Sequence, residues 1–135
     1  MPRQRTRPVT RLTARLKEED GYAGTAIAYP AVVVLCLAIV QFGLYYAAEN
    51  TAQAAAWTAY QQARAYHASA AAGRAAGLQL LGGGSLLTGG QIVIIRTADT
   101  VTVTTTGAAI TILPGLPLPP VTRTLTGPVE RWIPR

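Results

Sequence analysis

The longest apolar segment of the chain lies between Asp20 and Glu49. Residues 22–48 form an uncharged run of 27 residues, and its centre, residues 31–40, contains no polar side chain apart from the thiol of Cys36. A helix of that length is about 40 Å long, which exceeds the hydrocarbon core of a bilayer at about 30 Å. The pattern predicts a transmembrane helix over 22–48, with Cys36 as a small hydrophobic residue within it.

An alanine-rich segment without proline, residues 49–77, follows directly. Because alanine is the best helix former, the pattern predicts one continuous helix from about Ala23 to Ala76, kinked at Pro30, whose outer part is an extracellular stalk. Four of its side chains share one face by helical spacing: Trp57, Tyr60, Arg64 and His67. This face either binds a partner, which is a neighbouring helix or the protein's own sheet, or is an ordinary half-buried face.

The last third of the chain changes to the periodicity of strands. Residues 78–90 are rich in glycine and are predicted to form a flexible linker, while Gly73 and Gly77 are expected to loosen the end of the helix. Residues 91–135 predict a small antiparallel sheet of three or four strands. The segments that carry the strand pattern are 91–97, 100–106, 108–113 and 121–125. The fold class is therefore α+β, and we expect the sheet to pack on the aromatic face of the stalk, since such a sheet is marginal alone.

The charges indicate how the chain is oriented. Six of the 12 basic residues lie within the first 17 positions, so residues 1–21 form a basic leader. An excess of Lys and Arg beside a spanning helix marks the cytoplasmic side, which predicts a single-pass protein with a cytoplasmic N-terminus and an extracellular C-terminal region. Tyrosines near both ends of the apolar run suit the membrane interfaces: Tyr22, Tyr29, Tyr45 and Tyr46. We expect the leader to meet anionic lipid, not nucleic acid, because no DNA-binding motif accompanies it.

The composition argues against catalysis. Half of the residues are hydrophobic, 13% are charged, and the chain has one cysteine and one histidine. Beyond the apolar run the only acids are Glu49, Asp99 and Glu130, which are widely separated along the sequence. Neither a catalytic triad nor a carboxylate pair at short spacing occurs in this part of the chain, so we expect no enzymatic activity, no cofactor and no metal site.

The order of these segments resembles a known family. A basic leader ending in Asp20-Gly21, an apolar helix with an early Pro30, and the sequence of residues 41–65 together resemble TadE-like pilus assembly proteins, which are pseudopilins of the tight-adherence (Flp pilus) system. The C-terminal part of the chain looks like the C-terminal half of small TadE-like proteins from high-GC Gram-positive bacteria. The motifs that carry this second likeness are Val101-Thr102-Val103, Leu113-Pro114-Gly115 and Gly127-Pro128-Val129-Glu130-Arg131-Trp132.

The resemblance implies a pilin-like, membrane-anchored structural protein that helps to assemble or decorate a pilus. It implies cleavage by a prepilin peptidase after Gly21, which makes Tyr22 the new N-terminus, and association with membrane proteins of the pilus secretion system and other pilin-like subunits. Pilin-like proteins usually carry a glutamate at the fifth mature position, where this chain has Ala26. That difference favours an accessory or assembly role over that of a major subunit.

A second interpretation remains open from the residues. The basic start and apolar run also fit a secretory signal that is cleaved just before Glu49. The product would be a secreted or membrane-anchored small β module that binds an unknown extracellular ligand. A mature N-terminus at Tyr22 or near Glu49 distinguishes the two interpretations.

Overall fold

The structure is a computed structural model that describes the backbone of residues 9–131 and the side chains of residue 22 and residues 24–131. Five elements follow one another: helices α1 (Val9–Arg64) and α2 (Ala70–Gly82), then strands β1 (Leu87–Arg96), β2 (Thr100–Ala109) and β3 (Val121–Pro128). A long apolar helix followed by a three-stranded antiparallel sheet confirms the predicted α+β class. The chain forms two compact units, with the boundary between Ala38 and Ile39. The first part of the basic leader and Trp132 lie outside the described residues.

The predicted continuous helix to Ala76 is wrong. Helix α1 continues through Pro30 for 56 residues but ends at Arg64. A break of five residues follows, and α2 begins after Ser69, whose hydroxyl accepts a hydrogen bond from the Ala72 amide at 3.1 Å. Local helix propensity is overridden here because α2 turns back to pack on α1, a tertiary contact that alanine content does not reveal.

Gly73 and Gly77 are packing residues, and the expectation that they loosen the helix end is wrong. A Cβ at Gly73 would lie 2.6 Å from the Ala59 carbonyl oxygen and 2.7 Å from the Ala63 Cβ. A Cβ at Gly77 would meet the Ile92 side chain and lie 3.0 Å from the Ala59 Cβ. These two glycines therefore let the backbones of α2 and α1 approach more closely than any larger residue would allow.

The three strands form one antiparallel sheet in the order β1-β2-β3. β1 pairs with β2 from Leu87 to Arg96, with an irregularity near Gly89, which has a φ of +63°. Residues 78–90 are predicted to form a flexible linker, but most of them belong to regular elements. Residues 78–82 complete α2, and residues 87–90 are the first four of β1. The run at 108–113 forms no fourth strand, because residues 110–113 leave the ladder and enter the loop that leads to β3.

The inner face of the sheet packs on the second half of α1, as the sequence predicts. The core there combines small helix residues with apolar strand residues: Ala55, Ala56, Ala59, Tyr60 and Ala63 against Ile92, Val101 and Val103. A second cluster lies nearer the middle of α1 and contains Ala48, Ala52, Leu87, Ala109 and Val121. Alanine allows the sheet to lie close to the helix axis, so the core is built from many small contacts.

Candidate functional site: the aromatic face and the apolar segment of α1

Tyr60 is the residue of the predicted partner face that is built into the core. Its side chain is 6% exposed and lies against Gly127 in β3, where a Cβ would overlap the tyrosine ring and hydroxyl. Gly127 therefore provides the space that the ring occupies. At Tyr60, the face that was predicted to bind a partner or the protein's own sheet contacts the sheet.

Trp57 has a different environment from Tyr60 although it lies one helical turn away. Its side chain is 51% exposed, and its ring centroid is 5.8 Å from that of Tyr60 with the planes tilted by 36°. Such a distance and tilt are typical of a favourable aromatic pair. Trp57 thus covers the edge of Tyr60 and presents the rest of its surface outward.

Arg64 connects the end of α1 to the C-terminal segment. Its Nη2 and Nε donate to the Glu130 Oε1 at 2.8 and 3.1 Å, and its carbonyl oxygen accepts from the Glu130 amide at 2.9 Å. The guanidinium also lies over the Tyr60 ring, 5.6 Å from its centroid, as in cation–π pairs. The hydrogen bond to Glu130 raises the pKa of Arg64 above the ordinary arginine value.

His67 lies beyond the end of α1 and is not on the predicted helical face. Its φ of +60° is in the left-handed region, and its ring centroid is 4.0 Å from that of Tyr66. Histidine is among the residues that adopt this region more often than most. His67 therefore belongs to the turn between α1 and α2, a position that its helical spacing from Arg64 does not reveal.

The three acids beyond the apolar run each pair with an arginine from another part of the chain. Arg123 in β3 donates to the Glu49 carboxylate at 2.7 Å, and Arg131 pairs with Asp99 at the β1–β2 turn. With Arg64–Glu130, these pairs connect the sheet to the helix and close its far end. Among the described residues, no group of three or more His, Cys, Asp or Glu side chains could hold a metal ion.

Gln41 is a structural residue that the sequence reasoning missed. Its side chain is 2% exposed; its Nε2 donates to the Ile110 carbonyl at 3.0 Å and its Oε1 accepts from the Ile112 amide at 2.8 Å. It holds the start of the β2–β3 loop against α1. The available signal was that Gln41 is the one amide side chain in the apolar run of 22–48.

The apolar side chains that precede Gln41 are exposed. The exposed stretch begins at Tyr22 and Gly24. Its large apolar side chains include those of Val32, Val34, Leu35 and Ile39. Only 6% of the most apolar 18-residue window is buried, which argues against the core helix of a soluble protein. Helix α1 is long and apolar enough to cross a membrane, although a signal sequence near an N-terminus satisfies the same criterion. The predicted cleavage pair, Gly21 and Tyr22, lies within α1.

The comparison with known protein families gives a match that lies entirely within helix α1. Residues 25–60 match the TadE-like protein family. The match covers the exposed apolar segment and the alanine-rich half that packs on the sheet, and it confirms the predicted resemblance to TadE-like proteins over these residues. Together with a helix that could span a membrane, it indicates a protein associated with the Tad pilus. Neither the curated proteins nor the solved structures provide a significant match.

Proposed function

We propose that this chain is a membrane-anchored, pseudopilin-like protein that acts structurally, and not as a catalyst, in the assembly or decoration of a Flp/Tad-type pilus. The observation that carries the proposal is the construction of α1: the segment that matches TadE-like proteins is exposed and apolar in its first half and covered by the protein's own sheet in its second half. A helix of this kind holds a folded domain at a membrane surface.

The topology and processing belong to the same proposal. The basic leader, residues 1–21, stays in the cytoplasm, and the sheet lies outside the cell. A prepilin peptidase cleaves between Gly21 and Tyr22 and leaves the apolar segment attached to the domain. The expected partners are lipid, membrane proteins of the pilus secretion system and other pilin-like subunits. The proposal also includes the type of protein: the C-terminal motifs resemble those of small TadE-like proteins from high-GC Gram-positive bacteria.

N-terminal sequencing of the protein isolated from membranes tests the proposal. The full chain, produced together with a prepilin peptidase, is expected to begin at Tyr22. Gly21→Val is expected to block this cleavage, whereas Gly24→Ala, which adds a methyl group where nothing lies within 4 Å, is expected to leave it unchanged. A mature protein that begins near Glu49 and appears in the culture fluid would instead support the secreted β module.

A pull-down of the membrane-bound protein tests the association with the pilus. The chain is cross-linked in cells of its own source and purified, and co-purified proteins are identified. Recovery of the membrane proteins that work with the secretion ATPase of the pilus system supports the proposal. A mature protein starting at Tyr22 that cross-links only to unrelated membrane proteins would contradict a role in the pilus while leaving membrane anchoring intact.

A further inference from the structure

The loop between β2 and β3 is an apolar surface at one end of the sheet. Residues 110–120 read ITILPGLPLPP and contain no ionisable side chain, and none occurs anywhere between Asp99 and Arg123. Ile112 and Leu116 are 43% and 44% exposed. A run of exposed apolar residues without charge differs from a usual solvent-facing loop, which is polar.

Gln41 determines where this loop lies along α1. The two hydrogen bonds from its amide group to Ile110 and Ile112 place the start of the loop level with residue 41. Leu118, further along the loop, packs against the cluster of Ala48 and Val121. The loop is thus fixed to the helix at the residue where the exposed apolar segment meets the covered half.

We propose that this loop lies in the membrane interface and that the bilayer surface meets the chain at Gln41. Ile112 and Leu116 insert at the boundary between headgroups and acyl chains, and Phe42, which is 79% exposed, does so from α1. The partner is a phospholipid surface. This inference rests on the proposed membrane anchor and adds to it a second point of contact with lipid.

Two observations favour lipid as the partner. The chain runs from Gln41 directly into the exposed apolar segment, so any membrane that holds this segment lies next to the loop. The predicted span of 22–48 is about 40 Å long, whereas residues 22–40 form about 28 Å of helix, close to the hydrocarbon thickness of about 30 Å. A membrane surface at Gln41 therefore fits both the helix length and the uncharged loop.

Quenching by spin-labelled lipids tests the position of the loop. The full chain is placed in vesicles of phosphatidylcholine and phosphatidylglycerol, and an environment-sensitive fluorophore is attached at one cysteine. The probe positions are native Cys36, Leu116→Cys and Ile95→Cys, the latter two on a Cys36→Ser background. Ile95 is the matched control because it is exposed and apolar but lies at the opposite end of the sheet, paired with Thr102.

The expected result is quenching at Cys36 and at position 116, and none at position 95. A side chain in the interface lies about 5–10 Å deep, so the label at 116 is expected to lose about half of its fluorescence to lipids labelled near the headgroup. Quenching at Cys36 without quenching at 116 would overturn the loop inference and keep the anchor. Absence of quenching at Cys36 would overturn both. Equal quenching at 95 and 116 would contradict a membrane surface at Gln41.

Discussion

The two halves of helix α1 differ in the size of their apolar side chains and in how far these side chains are buried. Between residues 24 and 40 the helix carries large apolar side chains that stay exposed, such as Leu35 and Ile39. Between residues 48 and 63 it carries small ones that are fully buried, such as Ala52 and Ala59. Side-chain size thus runs opposite to burial, which is the reverse of the trend in soluble proteins.

The difference follows from what covers each half. The alanines are buried because α2 and the sheet approach the helix backbone, which is possible only with small side chains and with Gly73 and Gly77 on the other side. No part of the described protein covers the large residues of the first half, so their apolar surface requires another partner. A lipid bilayer supplies one, and there large aliphatic side chains are the favoured residues.

The largest expected effect is in the covered half, at Tyr60. Tyr60→Ala removes a buried aromatic ring from a space bounded by Gly127 and is expected to lower the free energy of unfolding by about 3 kcal/mol. Trp57→Ala is the matched control and should cost less than half as much, because its ring is already half exposed. Thermal unfolding of the full chain in detergent, followed by near-UV circular dichroism, measures both. Equal losses would show that the aromatic face acts as one unit.

Gln41 lies where the two halves meet. Gln41→Ala leaves the Ile110 carbonyl and the Ile112 amide without their partner and is expected to cost about 2 kcal/mol. Gln62→Ala removes the same amide from an exposed position on α1 and should change stability little. Hydrogen exchange of the Ile112 amide provides a local readout and should accelerate in the first variant only. Unchanged exchange in Gln41→Ala would show that the loop does not depend on this contact.

The close approach of α2 is tested by adding one methyl group. Gly73→Ala places a Cβ against the backbone of Ala59 and is expected to lower stability by about 1 kcal/mol, because the strain of overpacking exceeds the gain in helix propensity. Gly82→Ala, on the same helix with nothing within 4 Å, is expected to have a neutral or slightly stabilising effect. The same unfolding measurement compares them, and a stabilising Gly73→Ala would contradict the packing described.

The smallest effect is expected at the ion pair that closes the covered half. Glu130→Gln keeps the side-chain shape and removes the charge that faces Arg64. Because the hydrogen bond to Glu130 raises the pKa of Arg64, the stability that this pair contributes is fully present below the ordinary arginine pKa and is lost only in strong alkali. The stability of the unsubstituted chain should fall slightly between 50 and 500 mM salt, and that of the variant should fall less, because only the Glu49–Arg123 and Asp99–Arg131 pairs of the described residues remain to be screened. The control is Asp99→Asn, which removes the charge from the Asp99–Arg131 pair, a pair that is more exposed than Arg64–Glu130.

The elements that depend on local pattern could be predicted from the sequence. The apolar helix follows from a long uncharged run, and the β1–β2 hairpin follows from alternation of valine and threonine in residues 100–106. The break after Arg64 could not be predicted, because residues 65–69 contain no proline or glycine and the turn depends on how α2 packs. Glycine occurs both in flexible segments and where two backbones pack closely, so the sequence does not tell which applies to Gly73 and Gly77. The contacts with Ala59 and Ile92 show that both glycines are packing residues.

The partner face could be predicted only in part, for the same reason. Helical spacing brought Tyr60 and Arg64 together correctly, but it extended the face to His67, which lies past the end of the helix. The arginine partners of Glu49 and Glu130 are more than 60 residues away in sequence, and both pairs depend on how the sheet and the C-terminal segment pack on α1, which the sequence pattern leaves open. Long-range polar contacts of this kind require the tertiary structure.

A cysteine accessibility scan along α1 tests most directly whether the two halves face different surroundings. Single cysteines replace side chains that are all exposed in the protein itself, on a Cys36→Ser background: Val34, Ile39, Tyr46 and Trp57. The full chain in lipid vesicles is treated with a membrane-impermeant maleimide, and labelling rates are compared. We expect positions 34 and 39 to be shielded and positions 46 and 57 to react, with the change falling at Gln41. Equal labelling rates at all four positions would contradict the division of α1 into a lipid-facing and a protein-covered half.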